Sequence, residues 1–144
     1  MGEKLDMYKS NKTYKKWLKS LITQLGAQAG TVHVERGGDL YLTAAHNIPA
    51  KVIAIVVHVP RGKGMAGEAQ IKKEPVQTCN LQTDETGNIN PGAKAVDAQA
   101  AIALPVFDEV GTVRAVVGIA WTKAFEIGPA EAQSMLKLAA ALPL

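Results

Sequence analysis

The chain is short of several things, and each scarcity excludes a class of protein. It carries one cysteine, Cys79, in 144 residues. That rules out an intramolecular disulfide framework and suits a reducing compartment, so a cytoplasmic location is expected. Aromatic residues make up only 5% of the chain, and they do not interleave with basic residues as in a nucleic-acid-binding surface. No apolar run approaches the roughly 20 residues needed to cross a bilayer. The opening MGEKLDMYKSNK is charged, with no apolar stretch or small-residue cleavage site, so no secretory leader is expected. His33, His46 and His58 are the only histidines. Their separations do not match metal-ligand spacing, and no metal or other cofactor is expected. No G-x-S-x-G elbow or other paired motif for nucleophilic catalysis appears. The balance is against an enzyme.

What is present suits one domain over residues 1–144. This length is typical of single domains, and 47% hydrophobic residues with 20% charged can fill one core. The net charge of +3 is uneven. Residues 1–20 hold six lysines against Glu3 and Asp6, whereas the remaining 124 residues hold ten basic and eleven acidic side chains. The basicity therefore belongs to the first segment. It reads as a solvated helix face, and a nucleic-acid partner is not expected.

Periodicity divides the chain. Tyr14, Trp17, Leu18, Leu21, Ile22 and Leu25 recur at three- and four-residue spacing and predict an amphipathic helix over 4–25, ended by Gly26, within an N-terminal segment 1–26. Thr31–Arg36 and Leu40–Ala44 flank Gly37-Gly38-Asp39 as a hairpin. The β-branched run Val52–Val59 favours a strand. Met65–Lys73 suits a short helix stopped by Pro75, and Val76–Leu81 a short strand. Residues 82–98 form a long polar loop, and loops of that length are often functional. Ala101–Phe107 and Thr112–Trp121 make a second hairpin, in which Arg114 stands out. An exposed position or an anion contact would each explain it. Gly128-Pro129 opens a final helix over 129–142, with Ala132, Met135, Leu136, Ala139 and Leu142 on one face.

The run Val59-Pro60-Arg61-Gly62-Lys63-Gly64-Met65-Ala66-Gly67 contains G-x-G-x-x-G, with Asp84 some twenty residues on. A dinucleotide fingerprint would look like this, but that fold alternates strands with crossover helices and places the motif after its first strand. Here a hairpin precedes the motif, and Pro60-Arg61 interrupts the tight turn it needs. The motif alone is weak. Gly62, Gly64 and Gly67 read instead as structural glycines at a helix entry, whose N-terminus could receive a negative group.

The succession V-P-R-G-K-G-M-A-G-E-A, E-P-V-Q-T-C-N-L-Q-T-D and A-I-A-L-P-V-F-D-E-V-G-T-V-R-A-V-V-G-I-A resembles the GAF domain superfamily, over roughly Leu5 to Leu142. The resemblance implies an α+β fold: a central antiparallel sheet of five to six strands, with the N- and C-terminal helices packed on one face. A small-molecule pocket would lie under loops on the other face, as in GAF and PAS domains. The Asn-Lys…Phe-Asp signature of cyclic-nucleotide members is absent, and nothing matches bilin attachment. Free methionine-(R)-sulfoxide reductases are similar in size, but their chemistry uses more than one cysteine. Stand-alone members that resemble nitrate-sensing partners of two-component kinases are closer.

The hydrogen-bonding groups that leave the middle strand for the long loop are the expected ligand site. They are Thr78, Cys79, Asn80, Gln82, Thr83, Asp84, Thr86, Gly87, Asn88 and Lys94, with Trp121 or Tyr41 lining either the site or the core. Turn formation would explain the same Asn, Asp and Gly residues. Cys79 on an apolar strand reads first as a small buried hydrophobe. His33 and His58 alternate with apolar neighbours and read as strand residues.

The resulting expectation is a cytoplasmic sensory module in signal transduction, binding a polar or anionic small molecule, nitrate-like being one candidate. It would act through homodimerisation or a partner such as a sensor kinase, with the Tyr14/Trp17/Leu21 stripe and the C-terminal helix as the contact surface. Two alternatives stand beside it: a sulfoxide-reductase-like redox enzyme using Cys79 as its catalytic group, and a structural dimerisation module without ligand.

Overall fold

The computed structural model describes residues 8–78, 99–124 and 126–144. Two hairpins organise it. Strands β1 (Ala29–Arg36) and β2 (Asp39–His46) pair in register from Arg36 opposite Asp39. Only Gly37 and Gly38 lie between them, at φ 60° and 97°. Two successive positive φ angles give a turn whose twist matches that of the flanking strands, which explains the glycines. Strands β5 (Ala100–Phe107) and β6 (Val113–Trp121) form the second hairpin. At its turn the Asp108 carboxylate accepts from the amides of Val110 (3.0 Å) and Thr112 (2.9 Å).

With β3 (His58–Val59) and β4 (Val76–Thr78) as edges, the sheet runs β3-β2-β1-β6-β5-β4, and every neighbouring pair is antiparallel. The fold is α+β. Helices α1 (Lys12–Gln24) and α4 (Pro129–Ala139) cover one face. Leu18, Leu21 and Ile22 from α1 and Ala132, Met135 and Ala139 from α4 join Ile102, Leu104, Val117 and Ile119 of the sheet in one buried cluster.

Helix α1 starts later than its periodicity predicts. Asn11 is extended, its side chain accepts from the Tyr14 amide at 3.0 Å, and its own amide donates to the Thr43 carbonyl of β2 at 2.7 Å. This cap fixes the first turn at residue 12. Tyr8–Ser10 are not helical, and residues 1–7 lie outside the described residues.

The larger correction concerns Val52–Val59. Its first part is helix α2 (Ala50–Val56), entered from Pro49, and only His58 and Val59 are extended. Val52 and Val56, one helical turn apart, bury against Leu42 and Ala45 of β2. Tertiary packing of that i, i+4 pair overrides the β-branched preference.

Arg114 also has its explanation. Val106 pairs with Ala115 but Phe107 with Val113, so Arg114 is the extra residue of a bulge. Its guanidinium donates to the carbonyls of Leu142 (2.6 Å) and Pro143 (3.3 Å), beyond the end of α4. The two bonds tie it to the chain after α4, so it is not a free surface residue.

Candidate functional site

Part of the sheet face turned away from α1 and α4 is lined by small residues, beside a cluster that includes Leu40, Val59, Val113 and Val116. On β5, Ala101 and Ala103 alternate with Ile102 and Leu104; on β6, Gly118 and Ala120 alternate with Val117, Ile119 and Trp121. The large residues serve the helical core. The small ones floor a cavity of about 130 Å³, walled by Val52 and Val56 of α2 and by the start of helix α3 (Gly64–Lys72). Apolar cavities near 150 Å³ hold molecules the size of benzene. The described lining is almost wholly apolar, with Thr31, His33 and Lys63 its polar side chains.

Glycines place α3 over this floor. Gly62 and Gly64 adopt φ of 79° and 64°, which favour glycine. Gly67 packs on the preceding turn so closely that a Cβ there would come within 2.6 Å of the Gly62 carbonyl carbon. Gln70 Nε2 donates to the Gly38 carbonyl at 2.8 Å and ties α3 to the β1–β2 turn. Lys63 through Ala66 all line the cavity. No side chain caps this helix, and among the described residues the amides of Gly64, Met65 and Ala66 have no acceptor. Such amides, together with the positive end of the helix dipole, favour a negative or acceptor group.

His33, from β1, is the one buried titratable group on the described lining, only 3% exposed. Its Nε2 lies 2.8 Å from the Val56 carbonyl of α2. A carbonyl can only accept, so Nε2 carries the proton and Nδ1 is a bare acceptor. Burial depresses the imidazole pKa to about 4, against a smaller opposing effect of the Val56 hydrogen bond. The ring is therefore neutral near pH 7. Its Nδ1 is buried without a hydrogen-bond partner among the described residues.

Away from the cavity, Asp39 accepts from His58 Nε2 (2.7 Å) and from the Arg61 amide (3.0 Å), fixing the approach to α3. These bonds, the His58 contact first, hold the Asp39 carboxyl below its usual range. Tyr41 stacks on His58 at 4.9 Å, with Arg36 above its ring at 4.7 Å. Tyr41 is thus half-buried in a polar stack and lines neither cavity nor core.

Of the ligand residues expected from the sequence, Thr78 ends β4 opposite Ala101 and is not on the cavity lining. Trp121, for which site and core were both open, lies in the cluster under α1 and α4, its Nε1 donating to the Leu25 carbonyl at 3.3 Å. Cys79, Asn80, Gln82, Thr83, Asp84, Thr86, Gly87, Asn88 and Lys94 lie outside the described residues. His33 and Thr31 were missed as lining residues. The signal was strand parity, since both alternate with Val32, a core residue.

Among the described residues no helix is long and apolar enough to cross a membrane. The GAF domain family matches residues 13–142 of the chain. No curated protein matches it. Among solved structures, the GAF domain of an Acinetobacter phosphoenolpyruvate-protein phosphotransferase superposes with a TM-score of 0.69 at 15% identity, covering 89% of this chain and 75% of that one. A type II free methionine-R-sulfoxide reductase from Thermoplasma acidophilum gives 0.68 at 17% identity, covering 89% and 87%. A domain of a putative two-component sensor histidine kinase from Sinorhizobium meliloti 1021 gives 0.66 at 16%, covering 88% and 82%. At these identities the likeness is one of fold.

Proposed function

Because the chain belongs to the GAF domain family, we propose that it is a sensory module that binds a small molecule and acts in cytoplasmic signal transduction. The observation that carries this reading is the cavity between the Ala/Gly face of the sheet and helices α2 and α3. Its size suits a small molecule, and the uncapped start of α3 gives it a polar end for an anionic or acceptor group. A nitrate-like anion is one candidate, and the polar residues from Cys79 to Lys94 are candidates to complete the site. The signal passes to a second copy or to a partner such as a sensor kinase, with α1 and α4 as the contact surface. A thermal-shift screen with nitrate, nucleotides, amino acids and short-chain acids tests this reading, together with native mass spectrometry of the purified protein. A ligand that raises the melting temperature and shifts the mass is expected. No shift with any compound and no retained mass would leave the structural dimerisation module as the better description. NADPH-coupled reduction of free methionine sulfoxide tests the redox alternative. With Cys79 the sole cysteine, no turnover is expected.

A further inference from the structure

Helix α1 carries a charge pattern that its own fold does not use. Lys12, Lys15, Lys16 and Lys19 recur at i, i+3, i+4 and i+7 and are all exposed, on a helix with no acidic residue. That spacing sets them on one face, in a stripe about 10 Å long. Each has another lysine three or four residues away, and like charges at those separations destabilise a helix. Among the described residues no carboxylate pairs with any of them. Their place along the axis is also unfavourable. Lys12 opens the helix and Lys15 and Lys16 lie one turn on, at the positive end of the helix dipole, whereas the last turn holds no basic residue. Solvation alone is served by a different arrangement, which α3 shows: Lys72, in its last turn, pairs with Glu68 one turn back at 2.6 Å.

The stripe discriminates among occupants. A second copy set with α1 against α1 would oppose lysines to lysines, and like charges across an interface suppress it. A nucleic-acid duplex or an anionic bilayer presents charge over a broad surface, and this basic surface is narrow. Beyond residue 20 the chain holds ten basic and eleven acidic side chains, so the cations of α1 are not continued elsewhere. The stripe contains no arginine, the residue whose planar fork suits phosphate. The apolar face of α1, with Leu18, Leu21 and Ile22, is buried against the sheet and is not available to lipid.

We infer that the lysine face of α1 docks a partner protein through one helix whose carboxylates recur at the same i, i+3, i+4, i+7 spacing. This rests on the signalling reading above, and of the partners named there it selects a different, acidic protein over a second copy joined α1 to α1. Such a helix is as narrow as the stripe, and its carboxylates stand as far apart as the lysines do. Docking gives each lysine the counter-charge that the free protein lacks. A single exposed pair is weak, so recognition comes from matching several in register.

The test uses the whole protein and three Ala-rich helical peptides. One carries glutamates at the matching spacing, one the same glutamates spread around the helix, and one glutamines at the matching positions. NMR titrations of the labelled protein read both affinity and location. At about 0.01 M salt the matched peptide is expected to bind about tenfold more tightly than either control, and about 1 M salt should abolish its binding. The amide shifts should centre on residues 12–19. Replacing the stripe with Lys12→Gln, Lys15→Gln, Lys16→Gln and Lys19→Gln together should remove the preference. The melting temperature of that variant should stay level or rise, because the like charges are gone. If it fails to fold, the three peptides on the parent protein decide alone. Equal affinity for the matched and spread peptides, binding of neither, or a preference kept by the variant overturns the inference. Tighter binding of a DNA duplex or of phosphatidylserine vesicles through the same lysines also overturns it, as does a parent dimer that dissociates in the variant. The small-molecule thermal-shift screen does not depend on these lysines. A ligand found there leaves the sensory reading standing when the acidic partner fails, and failure of both removes that reading as well.

Discussion

Ile102 and Leu104 face the terminal helices, while Ala101 and Ala103, interleaved with them on the same strand, face the cavity. The neighbouring strand repeats the contrast, with Val117 and Ile119 on one side and Gly118 and Ala120 on the other. One sheet thus has a face filled throughout by large side chains and, on the other, a stretch of small ones that leaves space beside Leu40 and Val116. Close packing of large residues carries the stability. The small-residue stretch gives some of that up in exchange for space. Cavity and core are made here by the same alternation, read at odd or at even positions.

Substitutions on adjacent residues can break this comparison. Leu104→Ala, on the filled face, should cost about 4 kcal/mol in urea unfolding, because a fully buried leucine leaves a void. A cost under about 1 kcal/mol would mean that the helical face is no more essential than the other.

His33 gives the next largest effect, and it belongs to the cavity face alone. The folded protein keeps the imidazole neutral down to about pH 4, whereas the unfolded chain takes up its proton near the ordinary 6.5. The unfolded state therefore binds more protons between these values. Stability from the neutral ring is complete above pH 6.5 and is lost as the pH falls, by about 3 kcal/mol at pH 4. Urea titrations from pH 7 to pH 4 should show that slope in the parent and lose most of it in His33→Phe.

The smallest change in stability is expected from Ala103→Leu, within about 1 kcal/mol, since its added methyl groups enter existing space. Its effect on function should be complete: any compound that raises the melting temperature of the parent should leave the variant unmoved. Retained binding would place the ligand elsewhere.

Much of the fold was legible because it depends on local signals. Gly37-Gly38 and Asp108–Gly111 announce two hairpins, and Gly128-Pro129 a helix start, without reference to anything distant. Helix α2 was not legible in this way: a β-branched run prefers extended backbone, and only contact of Val52 and Val56 with β2 makes it helical. The site divided similarly. The glycines at 62, 64 and 67 stood out as a motif. The cavity floor consists of residues that attract no notice, and counting parity from Ile119 would have put Trp121 in the core and His33 opposite it. Polar composition drew attention to the 82–98 segment, whereas the described lining is chiefly apolar.

Gly30 lines the cavity from below, and on its other side a side chain would meet Ile22 and Leu18 of α1, at 2.9 and 3.2 Å. Here the sheet's share of the wall between cavity and helix is one peptide backbone thick. Elsewhere a core side chain would absorb a small displacement by changing rotamer, but a glycine has none to change. At this point the floor of the cavity rests directly on the Ile22 and Leu18 side chains of α1, with no side chain of the sheet between them, as a diaphragm rests on a rod.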